Sequence, residues 1–173
     1  FSLLTIFTGC SSGKDDGVIR LKLGLIDPES SNYGQGALQI AEQVRIATDG
    51  QIEIEVYAGG QLGSERDMYE GAMPGTIDIC TAANPVMYSF IPEMAVLDQP
   101  FLFADTAAAH AAIDGRLGEL IAEKAEVQGI HIVGWMESGF RNIFSIEPVT
   151  TPEDFKALKI RTMENNTHIT AFN

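Results

Sequence analysis

Two arginines stand apart from every other ionisable side chain in this sequence. Arg141 lies in Gly139-Phe140-Arg141-Asn142-Ile143-Phe144, and Arg161 closes Leu158-Lys159-Ile160-Arg161. Each is flanked by apolar residues in a run that predicts a strand. A guanidinium on a mainly apolar strand is costly to desolvate unless an anion pairs with it. An internal carboxylate or an exposed sheet edge would account for one such arginine. Two of them, on runs expected to be neighbours, suit a shared anion site, and the planar fork suits a carboxylate held through two parallel hydrogen bonds. Asp27, Asn84 and Glu164 fall in loops after predicted strands, where open α/β sheets bind ligands, and are candidates for recognising hydroxyls. Each is otherwise a surface or cap residue.

Other chemistries find less support. Gly59-Gly60-Gln61-Leu62-Gly63 could approach a phosphate, but it lacks the Lys-Ser/Thr of a P-loop and the spacing of a dinucleotide fingerprint. Ser64 as a helix cap with Asp67 three residues on explains it better. Cys10, Cys80, His110, His131 and His168 lack zinc-ligand spacing, so neither a metal nor a cofactor is expected. Glu119, Glu123 and Glu126 read as the solvated face of a helix.

The elements that must position these residues emerge from periodicity. Residues 18–26 predict a strand ending at Asp27-Pro28. Ala37, Ile40, Ala41, Val44 and Ala47 give a helical stripe, stopped at Gly50. Ile52, Ile54 and Val56 alternate with Glu53, Glu55 and Tyr57 in a strand with one wet face. A helix opens at Ser64, a strand covers 77–82, and Pro85, Pro92 and Pro100 punctuate the next stretch of chain. Helices are expected near 105–113 and over 115–128, and strands at 130–136, 140–146 and 158–161. Pro152 begins a short helical turn, and the tail is helical. Strands separated by helical stretches predict an α/β fold with a largely parallel sheet.

The chain has 173 residues, 45% of them hydrophobic and 20% charged, which suits one full core or two small lobes rather than a disordered segment. Eleven Lys and Arg against 24 Asp and Glu leave a net charge of -13, which argues against nucleic acid as a partner. An acidic surface also repels anions at long range, so an anion site has to be local and sheltered.

Phe1 to Phe7 is an apolar run, succeeded by Thr8-Gly9-Cys10 and then by a polar Ser/Gly/Asp stretch. This reads as the end of an export signal whose Cys10 sits at a lipobox position, with residues 11–17 as a tether. A core strand with a buried thiol is the other reading of the run. A disulfide from Cys10 to Cys80 is possible in an oxidising compartment, in competition with lipidation. The absence of an initial Met and the open helical tail lead us to expect the first part of a longer protein.

An ordered series of short segments resembles the DctP-type substrate-binding proteins of tripartite ATP-independent periplasmic (TRAP) transporters. It comprises Thr48-Asp49-Gly50-Gln51-Ile52, Gly60-Gln61-Leu62-Gly63-Ser64-Glu65, Gly75-Thr76-Ile77-Asp78, Leu97-Asp98-Gln99-Pro100-Phe101-Leu102-Phe103, Gly139-Phe140-Arg141 and Thr151-Pro152-Glu153-Asp154-Phe155-Lys156-Ala157-Leu158-Lys159-Ile160-Arg161. The resemblance implies a two-lobed periplasmic-binding-protein-like α/β receptor that closes on its ligand. Residues 1–10 would be the partial signal peptide, 11–17 the tether, 18–137 the first lobe and 138–173 the start of the second. Arg161 would clamp a ligand carboxylate with Arg141 as its companion. The implied ligand is a small organic acid: a C4-dicarboxylate, a hexuronate or a related sugar acid. The implied partners are the TRAP membrane subunits, and the implied location is the outer face of the cytoplasmic membrane or the periplasm, held by a lipid at Cys10. Ala157 stands where a Gly is usual. Ala83 and Val86 replace the acidic residue and arginine of sialic-acid binders, which disfavours that ligand. A secreted two-lobed enzyme acting on an anion and a ligand-sensing module for a signalling partner are the alternative functions. His131 and His168 would be the histidines nearest the arginines of such an enzyme.

Overall fold

The computed structural model describes residues 17–139, 141–163 and 165–172. Cys10, Phe140 and Glu164, and with them the expected signal segment and most of its tether, lie outside the described residues.

Three parallel strands form a sheet in the order β2-β1-β3, with β1 at Ile19–Gly24, β2 at Ile52–Tyr57 and β3 at Ile79–Cys80. Parallel neighbours need a long crossover, and helix α1, Asn32–Ala47, supplies the first one. Ser31 caps α1 by accepting the Gly34 N–H at 2.9 Å, and the chain leaves it through Asp49 and Gly50, both at positive φ. The expected stop at Gly50 is therefore where the backbone turns left-handed, a conformation that costs glycine least. Helix α2, Glu65–Ala72, begins on a full capping box: Asp67 N–H donates to Ser64 Oγ, and Ser64 N–H donates to the Asp67 carboxylate. The Ser64 hydroxyl, donating to the Asp67 carboxylate at 2.7 Å, and then the Ser64 N–H hold that carboxyl below its usual range.

Two apolar cores lie among the described residues. Leu23, Leu25, Ala37 and Ala58 are buried together with Tyr33, Ile54, Val56 and Ile79 packed around them. Tyr69, Met87, Ile91, Met94, Ile121 and Ala125 form the second, covered in part by Ile132 and Trp135. The second core gathers α2, α3 (Asn84–Met87), the 3-10 segment Pro92–Asp98 and α5 (Arg116–Val127), with α4 (Thr106–Ile113) leading into α5. Pro92 is the first residue of its segment and Pro85 the second of α3, both in a first turn, where a missing N–H costs nothing. Two of the prolines that punctuate the sequence there thus lie in the first turn of short helices, and Pro100 lies in a turn.

Several expected strands differ. The predicted strand at 77–82 shrinks to Ile79–Cys80, because the Asp78 carboxylate takes the Lys22 N–H at 2.8 Å where a backbone carbonyl would otherwise pair. The runs at 130–136, 140–146 and 158–161 carry no regular structure over their described residues. An apolar run becomes a strand only when a neighbour takes its backbone hydrogen bonds, and no described strand lies beside these. Their side chains divide accordingly: Ile132 and Trp135 reach the second core, whereas Phe144 and Ile146 are fully exposed. The short turn after Pro152 is present as a 3-10 helix at Pro152–Ala157, and the tail forms α6, Asn166–Ala171.

Gly34 shows how closely α1 approaches the loop after β1. A Cβ there would lie 2.5 Å from the Pro28 carbonyl oxygen and 2.6 Å from Glu29 Cα, both backbone. Gly34→Ala is expected to destabilise the fold by about 1–3 kcal/mol through overpacking, outweighing the roughly 1 kcal/mol of helix propensity that alanine adds. A urea midpoint equal to or above the parent's would refute that close approach.

Candidate functional site

The loops at the C-terminal ends of the three strands converge. Beyond β1, Leu25 N–H donates to Tyr57 O at 3.1 Å, Gly60 N–H to Leu25 O at 3.0 Å and Gly59 N–H to Asp27 O at 2.8 Å. The glycine-rich segment after β2 is thus laced to Asp27 through backbone bonds, with Gly59 and Gly60 both at positive φ. Beyond β3, Thr81 N–H donates to Gly24 O at 3.0 Å. Two residues later, Ala83 N–H donates to Glu65 Oε1 at 3.1 Å. Asn84 comes next as the first residue of α3, half-buried.

Glu65 is the residue that the sequence did not single out. Burial pushes its carboxyl up from the usual range, the Ala83 N–H partly offsets this, and the nearby negative charge of Asp27 raises it further. A carboxylate in the first turn of a helix is ordinarily stabilised by the helix dipole. Glu65 departs from that because its side chain turns inward across the strand ends. Burial and then the charge of Glu65 also push the half-buried Cys80 thiol up, so Cys80 is not a ready nucleophile. The Tyr69 hydroxyl is buried behind them with no partner among the described residues. Asp27, Glu65 and the Asn84 turn therefore form one acidic, hydrogen-bond-accepting corner, suited to hydroxyl donors and hostile to carboxylates. The only signal for Glu65 in the sequence is that the resembling segment Gly60 to Glu65 ends on it.

The Glu65 titration has a measurable consequence. Below about pH 4 the carboxyl is protonated in folded and unfolded chains alike, and burial costs it little. Above the raised folded value, the buried charge destabilises the native state. Glu65→Gln keeps an oxygen for the Ala83 N–H, so it is expected to raise the melting temperature at neutral pH and to leave it unchanged near pH 4. An equal gain at both pH values would exclude the buried charge as the cause.

The arginines are placed differently from the expectation. Neither lies on a strand and both are exposed. An arginine without a buried partner stays in water, because desolvating it would go uncompensated. Arg141 lies within electrostatic reach of Asp98, where its charge helps to lower a carboxyl that burial raises. Arg161 has no ion pair among the described residues, whereas Arg20, Arg45, Arg66 and Arg116 all have one. His131 pairs with Glu126 at 3.2 Å on the exposed surface. Among the described residues no group of three His, Cys, Asp or Glu could hold a metal ion, and no helix is long and apolar enough to cross a membrane.

The described residues thus give a parallel α/β body with a polar corner at its strand ends. The chain belongs to the bacterial extracellular solute-binding protein family 7, the DctP family, which matches residues 23–173. This is a family of receptors for transport rather than of enzymes. The 2,3-diketo-L-gulonate-binding periplasmic protein YiaO of Escherichia coli is 32% identical over 153 residues, which are 88% of this chain and 47% of that protein. The C4-dicarboxylate-binding periplasmic protein DctP of Rhodobacter capsulatus is 30% identical over 147 residues, 83% of this chain and 43% of that protein. A TRAP periplasmic solute-binding protein from a Polaromonas species, solved with D-erythronate, superposes with a TM-score of 0.84 at 33% identity, covering 89% of this chain and 51% of its own. The chain thus spans about half the length of the relatives it matches.

Proposed function

We propose that the protein carrying this chain is an exported receptor that binds a small sugar acid or related organic acid and delivers it to a TRAP membrane transporter. Arg161 takes the ligand carboxylate through its fork, and Arg141 supplies a second positive charge. Asp27, Glu65, Asn84 and Glu164 accept or donate to the ligand hydroxyls. The observation that carries this reading is an exposed Arg161 that has no ion pair among the described residues, in a chain of net charge -13. Arg20, Arg45, Arg66 and Arg116 each have a carboxylate beside them, and a guanidinium fork suits the two oxygens of an external carboxylate.

The relatives support the ligand class. Their names and bound molecules include a diketogulonate, C4-dicarboxylates and D-erythronate, each a compact acid with carbonyl or hydroxyl oxygens or a second carboxylate. The two-part arrangement, residues 18–137 as one lobe and 138–173 as the start of another, would let the lobes close and exclude water, strengthening the charge-assisted bonds. Lipidation at Cys10 would keep the receptor beside the transporter.

A thermal-shift screen of the whole protein tests the reading, with D-glucuronate, D-galacturonate, D-erythronate and succinate as probes. A ligand at a hundred times its Kd stabilises the native state by about 2.7 kcal/mol, which is several degrees of melting temperature. A shift with one class of acid supports the receptor. No shift with any acid at millimolar concentration would overturn it.

A further inference from the structure

Among the described residues one buried polar side chain stands out, and it lies beside the clamp segment. Asn165 is only 1% exposed. Its Nδ2 donates to Asp98 Oδ2 at 2.8 Å, across 67 positions of sequence. Its Oδ1 accepts the N–H groups of Thr167 at 2.8 Å and His168 at 3.3 Å, which makes it the N-cap of α6. The other Asp98 oxygen faces His168 Nε2 at 3.6 Å, and both of these side chains are almost fully buried. Asp98 ends the 3-10 segment Pro92–Asp98, and Met94 of the same segment belongs to the second core. Both carboxylate oxygens of one core-anchored residue are thereby spent on the segment that begins four residues after Arg161. The Asn165 N–H also donates to Met163 O at 2.7 Å.

We propose that the Asp98–Asn165–His168 bridge is a positioning device for the clamp: it fixes where the chain carrying Arg161 crosses the body of the protein, and so sets where the guanidinium is presented. This rests on the assignment of Arg161 as the ligand's carboxylate partner. Asp98 does not touch the ligand. An exposed arginine on an irregular segment has no ladder to hold it, so its location depends on the fixed points on either side in the chain: the 3-10 helix Pro152–Ala157 before it and the buried Asn165 after it. A buried amide whose donor and acceptor are both used specifies one arrangement, because any shift leaves a polar atom without a partner. Asp98 completes the assembly from the core side, with Arg141 close enough for its charge to be felt there.

The test separates this role from simple helix capping. Asn165→Asp keeps the cap, since aspartate and asparagine cap equally well, but it sets a carboxylate against Asp98. The exchange D98N with N165D restores a donor facing an acceptor in the reverse order. In the whole protein, amide hydrogen exchange over residues 161–172 is expected to quicken about tenfold or more in N165D, a loss of roughly one buried hydrogen bond. Exchange in β1, β2 and α1 should be unchanged, and the double variant should return to within about threefold of the parent. Binding of whichever acid the parent binds, chosen from D-glucuronate, D-erythronate and succinate, should weaken and recover in step. Should N165D fail to fold, D98N alone serves, because it keeps an oxygen for Asn165 and removes only the charge. It should loosen residues 161–172 less than N165D would, and weaken binding measurably.

Unchanged exchange in N165D, or in D98N where that is the folded variant, would overturn the bridge. So would quickened exchange that the double variant does not reverse, or loosened residues 161–172 with undiminished affinity. If the parent binds none of the acids, the receptor reading fails on that result alone, while the exchange data still decide whether the bridge positions the segment.

Discussion

Arg161→Ala in the whole protein is expected to weaken acid binding by roughly 1.5–3 kcal/mol or more, on the order of ten- to a hundredfold, the scale for hydrogen bonds to charged groups. Because the Arg161 side chain is exposed and has no ion pair among the described residues, its removal should leave the melting temperature of the unliganded protein unchanged. Affinity and stability are therefore expected to separate cleanly. Arg161→Lys keeps the charge but loses the two-pronged geometry, and should fall between parent and alanine variant. Arg116 is a suitable control: it is exposed too, but it is engaged with Glu119 and Glu123 at 3.1 Å each. Arg116→Ala should leave affinity untouched. Titration calorimetry with the acid found by the thermal screen decides the matter, and an unchanged Kd in Arg161→Ala would remove the clamp from the mechanism.

Leu25→Ala is expected to cost about 2–5 kcal/mol of stability, the range for emptying a leucine site in a well-packed core. Leu25 is 0% exposed and packs with Leu23, Ala37 and Ala58 directly before the Asp27 turn. Its backbone is held on both sides, by Tyr57 O and by Gly60 N–H. The surroundings therefore cannot collapse far into the space, which favours the upper part of the range. Its neighbour Ile26 is 44% exposed on the opposite face. Ile26→Ala should cost less than about 1 kcal/mol by the same reasoning. Urea unfolding of the two variants measures the contrast, with the midpoint shifting and the slope preserved. Equal losses would mean that the sheet does not face inward as described.

Local signals make the first part of the fold legible. The alternation in Ile52, Ile54 and Val56, the stripe from Ala37 to Ala47 and the Ser64–Asp67 spacing each depend on residues within a turn or two, and each element stands where periodicity places it. The resemblance to the DctP family is legible for a related reason: its short segments lie at turns and caps, where residue identity is dictated locally. The runs at 130–136, 140–146 and 158–161 mislead as strands because an apolar run reports a preference for burial and says nothing about a hydrogen-bonding neighbour. The corner formed by Asp27, Glu65 and Asn84 is half legible. Position after a strand nominates Asp27 and Asn84, but Glu65 joins them only through the parallel register, which brings three loops to one end. The Asp98–Asn165 bond is invisible in the sequence, since nothing in either residue's neighbourhood points across 67 positions.

The sheet is held unequally on its two sides. Six register pairs join β1 to β2, but only Leu23 with Ile79 and Gly24 with Cys80 join it to β3. So short a ladder behaves as a seam. The β1-α1-β2 unit can stay intact while the chain from Ile79 onward peels away, taking Ala83 and its bond to Glu65 with it. Opening along that line would part the acidic corner between its Asp27 and Asn84 halves. The fold thus gives its polar corner one fixed wall and one that can yield.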